Sequence, residues 1–86
     1  MVSREIVVNN PTGLHARPAT LLVKRASSYK SDVSIEYKER KANAKSLIGV
    51  LSLGVVMGSK ITLTTVGEDE EKAAEELSKL ILGLDE

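Results

Sequence analysis

Two segments of the chain, Val33–Tyr37 and Lys60–Val66, alternate apolar and polar residues almost one by one. Successive side chains of a strand point to opposite faces, so each segment can bury only one side of a sheet. Ile6-Val7-Val8, after Arg4-Glu5, reads as a third strand rich in β-branched residues, and it must stop at the dense turn signal Asn9-Asn10-Pro11-Thr12-Gly13. Lys38-Glu39-Arg40 can turn the chain into a short partner strand around Lys41–Asn43. A sheet with one polar face needs cover on the other, and helices must supply it.

Three helical segments are available. Ala19, Leu22, Val23 and Ala26 recur at helical spacing, with Lys30 expected near the C-terminus, where a cation suits the helix dipole. Ser46 is a good N-cap for a short helix from Leu47 to about Leu53, closed by Gly54. Glu68-Asp69-Glu70-Glu71 places negative charge at the start of a last helix, whose apolar stripe is Ala73, Ala74, Leu77, Leu80, Ile81 and Leu84. The predicted order is β-α-β-β-α-β-α, a two-layer α+β domain with all helices on one side of the sheet. At 86 residues the chain is expected to form a single domain, residues 1–86. Phe and Trp are absent and there are two Tyr, so the core must be aliphatic.

Twelve basic and twelve acidic residues cancel, which argues against a general nucleic-acid or membrane-surface binder, and no aromatic platform for single-stranded nucleic acid exists. The absence of cysteine removes disulfides, thiol nucleophiles and the common zinc sites, and with one histidine no transition-metal site is expected. Met1-Val2-Ser3-Arg4-Glu5 becomes charged at once, so neither a signal peptide nor a membrane span is expected, and the cytoplasm is the expected compartment.

The chemistry concentrates in Pro11-Thr12-Gly13-Leu14-His15-Ala16-Arg17-Pro18-Ala19-Thr20. Pro18 lacks a backbone N–H and belongs in the first turn of a helix, so the helix starts between His15 and Pro18. His15 is then the N-cap or one or two residues outside it. Either placement sets an imidazole beside the orphan N–H groups of the first turn, including those at Ala16 and Arg17, which favour an anion. Arg17 adds a permanently charged fork that can hold phosphate oxygens, and Gly13 lets the backbone approach whatever binds. An ordinary imidazole titrates at about 6.5, so a neutral nucleophilic nitrogen is abundant near pH 7. A transient phosphohistidine needs these parts, and no carboxylate in the segment would repel it. His15 alone would read as a surface residue or a simple cap; the combination of turn, His, Arg and Pro lifts it above that.

Exposed apolar residues point to a protein partner. If Ala19, Leu22, Val23 and Ala26 face the core, Leu21 points nearly the opposite way, beside Arg17, Thr20 and Lys24. Between Leu47 and Leu53 only Gly49 and Ser52 are not apolar. The alternatives are a deeply buried helix or a partial patch of Leu47, Ile48 and Leu51 offered to partners, and the polar turns at both ends favour the patch. Ser46 needs no role beyond capping, yet a phosphate there would sit favourably at a helix start, next to Lys45 and at the rim of the patch.

Gly13-Leu14-His15-Ala16-Arg17-Pro18-Ala19-Thr20 is similar to the active-site signature of the HPr family, the histidine-containing phosphocarriers of the sugar phosphotransferase system. Lys45-Ser46-Leu47-Ile48-Gly49-Val50-Leu51-Ser52-Leu53-Gly54 resembles the family's second, serine-centred signature. The pair is highly specific, and the whole chain matches in length and element order. The resemblance implies an open-faced β-sandwich, a four-stranded antiparallel sheet with three helices on one face. It implies that phosphoenolpyruvate phosphorylates enzyme I, which passes the group to Nδ1 of His15, and that His15 donates it to the IIA domain of a sugar permease. Arg17 would stabilise the phosphate. Where an HPr kinase/phosphorylase exists, Ser46 would be its target, and the modified form would bind catabolite control protein A. The role implied is that of a carrier, not an enzyme, without cofactor or metal. A monomer suits docking with many partners. Ile48 and Leu51 stand where some relatives carry Met.

Other readings are a carrier in a nitrogen-related or purely regulatory phosphorelay, an acylphosphatase-like enzyme, or a ferredoxin-like RNA-binding domain. The Arg and Asn pattern of the acylphosphatases is not found in this chain, and the lack of strand aromatics disfavours the RNA-binding domain.

Overall fold

The computed structural model describes residues 1–85. Its elements are β1 (Val2–Val7), α1 (Arg17–Ala26), β2 (Asp32–Tyr37), β3 (Arg40–Asn43), α2 (Leu47–Ser52), β4 (Lys60–Val66) and α3 (Glu70–Leu82). The strands form one sheet in the order β1-β4-β2-β3, with every neighbouring pair antiparallel. β4, the last strand in the chain, therefore sits between β1 and β2. Its register, Ile6 opposite Ile61 and Ile35 opposite Leu63, lines up the apolar alternation of three strands on one face.

That face is buried. Ile6, Val33, Ile35, Ile61 and Leu63 share one core with Leu22 of α1, Val50 of α2 and Leu77 and Ile81 of α3. On the opposite face Ser34, Thr62 and Thr64 stay half-buried and Glu36 is exposed, because no helix covers them. The structure is thus the expected open-faced, two-layer α+β arrangement. Ala19, Ala26, Ala73 and Ala74 are all fully buried, and their small side chains let α1 and α3 lie close to the sheet. Tyr29 is the buried aromatic of this aliphatic core, and its hydroxyl donates to the Glu76 carboxylate of α3.

Several boundaries differ from the sequence expectation. β1 begins at Val2 and ends at Val7, because pairing with β4 recruits the polar residues Ser3–Glu5. Val8 leaves the strand but is fully buried, donating its N–H to Ser59 O at 2.8 Å. α1 ends at Ala26, so Lys30 lies in the connection to β2, and Lys24 and Arg25 are the cations of the last turn. The β2–β3 turn needs only Lys38 and Glu39, both at positive φ (49° and 65°), as a two-residue hairpin requires. α3 buries Ser78 on its inner face, while Leu80 is half-buried and Leu84 lies beyond the helix end.

The start of α3 is also tied differently. Asp69 is its N-cap residue, yet its side chain caps nothing in the helix. The carboxylate instead accepts the N–H groups of Lys30 (3.0 Å) and Ser31 (2.9 Å) together with the Ser31 hydroxyl. Gly67 makes this junction possible, since a Cβ there would stand 2.7 Å from Ser31 Cα. Glu70, third in this acidic run, accepts from the N-terminal ammonium at 2.6 Å and from Gly67 N–H at 3.0 Å.

Candidate functional site

The segment leading into α1 has a buried foot and an exposed tip. Gly13 and Leu14 are buried, His15, Ala16 and Arg17 are exposed, and Pro18 and Ala19 are buried again. The foot is anchored by backbone. Leu14 N–H donates to Val55 O at 3.1 Å, in the loop between α2 and β4. Gly13 packs on the same loop, where a Cβ would meet Val55 O at 2.3 Å and Val56 Cα at 2.8 Å. The close approach that Gly13 allows is therefore to the chain's own Val55–Val56 segment rather than to a ligand. Asn10 closes the turn from inside: its buried side-chain Nδ2 donates to Gly13 O at 2.8 Å, and its own carbonyl accepts Gly13 N–H at 3.1 Å.

Ala16 is the N-cap residue of α1, with φ 55° and ψ −130°. A non-glycine residue rarely adopts positive φ, and such a conformation costs about 1–3 kcal/mol. The sharp bend it makes separates His15 from the helix axis by one residue, resolving the choice the sequence left open. Arg17 begins the helix, Pro18 follows within its first turn, and Ala16 itself supplies no side-chain cap. The first helical bond runs from Thr20 N–H to Ala16 O at 3.2 Å, and the Thr20 hydroxyl donates to the same oxygen at 3.3 Å. Thr20 thus stabilises the bend besides lying on the exposed side of α1. The chain has no Asp or Glu from Ile6 through Ser31, so nothing acidic within this stretch opposes an anion at the helix start.

Exposed apolar side chains stand on both α1 and α2. Leu21 is 42% exposed, Leu47 39% and Ile48 81%, while Val50 is fully buried and Leu53 nearly so. α2 is therefore split between core and solvent. Leu51 belongs more to the core than expected: it is half-buried and packed against it. Lys24 is exposed one turn beyond Leu21, over a shallow groove shared with Arg25, Ser28 and Leu80. Val56 and Met57, 60% and 59% exposed, extend the apolar surface beside the Gly13 turn. Sequence patterning singles out neither these two residues nor Asn10 as functional. Three apolar residues in a row, Val55–Met57, between Gly54 and Gly58 were the available signal for Val56 and Met57.

Ser46 is the N-cap of α2, its hydroxyl oxygen accepting Gly49 N–H at 3.1 Å. Its neighbour Lys45 donates from Nζ to Tyr29 O at 2.9 Å, just past the end of α1. The other end of α2 leads to Val55, beside Leu14. α1 and α2 therefore pack against each other with their directions opposed, and Ser46 lies at the far end of α1 from His15. A ten-residue helix spans about 15 Å, so the two side chains do not form one site. Among the described residues no cluster of side chains suited to a metal ion is present, and no helix is long and apolar enough to cross a membrane.

Residues 2–82 match the PTS-HPr family, described as the PTS HPr component phosphorylation site. Over 85 residues, 99% of this chain and all of the relative, the sequence is 44% identical to the phosphocarrier protein HPr of Buchnera aphidicola subsp. Acyrthosiphon pisum. The crystal structure of HPr-C-His from Thermoanaerobacter tengcongensis superposes with a TM-score of 0.94 at 45% identity, covering 95% of this chain and 92% of that one. Crh, a Bacillus subtilis catabolite repression protein crystallised as a domain-swapped, intertwined dimer, gives a TM-score of 0.77 at 44% identity, covering 95% of this chain and 94% of that one.

Proposed function

Since this chain belongs to the HPr family, the phosphocarriers of the phosphotransferase system, we propose that it carries its phosphoryl group on the imidazole Nδ1 of His15. The neutral nitrogen attacks phosphorus on phosphorylated enzyme I, the bond from phosphorus to the donor breaks as the N–P bond forms, and the imidazole proton leaves to solvent. The reverse connectivity delivers the group to a IIA domain of a sugar permease. The observation that carries this reading is the exposed His15 one residue outside α1, whose N-cap residue Ala16 offers no side-chain cap. The N–H groups at Ala16 and Arg17 and the Arg17 guanidinium then stabilise the charge that arrives with the phosphate.

Leu21, Leu47 and Ile48, with Thr20, Lys24 and the half-buried Leu51 at their margin, form the docking surface for enzyme I and IIA. The protein acts in the cytoplasm as a monomeric carrier, exchanging partners rather than turning over a substrate of its own. Ser46 is the regulatory phosphorylation site, addressed by an HPr kinase/phosphorylase where one is present. Because Ser46 stands away from His15, its phosphate acts on the apolar patch, and so on the choice between IIA, enzyme I and catabolite control protein A, rather than on the imidazole.

The test is intact mass after incubation with phosphoenolpyruvate and an enzyme I, for the wild type and His15→Ala. One acid-labile phosphoryl group on the wild type and none on the variant is the expected result. No phosphoryl group on the wild type, with the same enzyme I active on a control carrier, would overturn the assignment.

A further inference from the structure

The bend at Ala16 leaves His15 on a short exposed segment that its own side chain does not anchor, so its direction depends on what holds Gly13 and Leu14. Three contacts do so. Leu14 N–H is bound by Val55 O, the absent Cβ of Gly13 admits the Val55–Val56 backbone, and the Gly13 peptide is gripped by Asn10. The first two are backbone contacts that the fold supplies. The third is a side chain with two polar ends and 2% exposure, placed inside a turn where an apolar residue would satisfy burial equally well. Its Nδ2 donates to Gly13 O, while the backbone carbonyl of the same residue accepts Gly13 N–H, so both polar atoms of Gly13 face one residue. The carbonyl oxygen of Gly13 can point only one way while that amide is in place, and the plane of the Gly13–Leu14 peptide follows.

We infer that Asn10 is a positioning residue for phosphoryl transfer, acting through Gly13 and Leu14 to set the orientation of the His15 imidazole. The inference rests on the assignment of the phosphoryl group to His15. In-line transfer demands that the attacking nitrogen, phosphorus and leaving atom lie close to one line, and small displacements of a reacting group lower rates steeply. Asn10 is buried, so its contribution is to the rate of transfer and not to docking.

The experiment compares wild type, Asn10→Ala and Asn10→Ser in single-turnover transfer from phosphorylated enzyme I, with a thermal melt of each protein. Serine at this position can still donate within a turn, though more weakly than asparagine. Expected is a fall of about tenfold or more in the transfer rate for Asn10→Ala, with the half-saturating concentration of carrier unchanged and Asn10→Ser intermediate. The imidazole 15N and 1H shifts of His15 should move in the same order. A wild-type rate in Asn10→Ala overturns the inference, as does a loss that appears only as weaker docking. So does a loss that merely follows the unfolded fraction and vanishes when both proteins are compared well below their melting temperatures. If the wild type itself takes no phosphoryl group from an enzyme I that serves a control carrier, the His15 assignment has failed, an outcome distinct from all of these.

Discussion

Gly13 stands so close to Val55 that a Cβ on it would lie 2.3 Å from the Val55 carbonyl oxygen, the same oxygen that accepts Leu14 N–H. The histidine segment is therefore built onto the loop after α2, and the site and that loop cannot move independently. Gly13 also has φ +68°, a conformation that a side chain disfavours by roughly 1–2 kcal/mol before any clash is counted. Gly13→Ala should then lower the unfolding free energy by at least about 2 kcal/mol, read by urea denaturation at neutral pH. A variant as stable as the wild type would show that the Val55 loop yields freely and does not brace His15.

Asp69 predicts an acid sensitivity. The Ser31 hydroxyl and the Lys30 and Ser31 N–H groups hold its carboxyl down at about 2, below its ordinary value of 3.8. A carboxylate with a depressed folded-state value contributes stability above its unfolded value and loses it as pH falls toward the folded one. The wild type should therefore lose melting temperature as pH falls from about 4 to about 2. Asp69→Asn should start lower at neutral pH and fall less over that window. Glu70, held down by the N-terminal ammonium and Gly67 N–H, keeps some slope in the variant. Parallel curves for the two proteins would exclude the Asp69 junction as the cause.

Arg17 opens α1 with an exposed side chain. If its guanidinium holds the phosphate, Arg17→Ala removes a charge-assisted bond of about 1.5–3 kcal/mol, equivalent to about a 10- to 100-fold loss in transfer rate. Arg17→Lys should restore part of it, since lysine keeps the charge but not the planar fork. Rapid-quench transfer from phosphorylated enzyme I measures this. Equal rates for all three proteins would remove Arg17 from the chemistry.

Ile48 and Leu77 separate docking from folding. Ile48 is 81% exposed and Leu77 is fully buried. Ile48→Asp should change stability by no more than about 0.5 kcal/mol. It should still weaken binding to enzyme I by about tenfold or more, as measured by calorimetric titration. Leu77→Ala should do the reverse, costing about 2–5 kcal/mol of stability while leaving the binding of the folded fraction intact. Unaltered affinity in Ile48→Asp would move the docking surface away from α2.

Local patterning was enough for the element order, the aliphatic core and the two-layer architecture. Strand alternation and helical stripes record which side of each element is buried, and they need no knowledge of neighbours. The same holds for the start of α1, because Pro18 forbids a preceding turn of helix, and for Ser46 as a cap, because capping is a contact over three residues. The pairing of β4 between β1 and β2, and with it the true length of β1, came from register across the sheet, which no single segment contains. The left-handed bend at Ala16, the grip of Asn10 on Gly13, and the diversion of the Asp69 carboxylate from its own helix to Ser31 likewise arose from packing. Leu51 turned inward while Ile48 stayed outside for the same reason. An all-apolar stretch carries no local signal for which residues meet the core; the neighbours brought alongside by the fold made that choice.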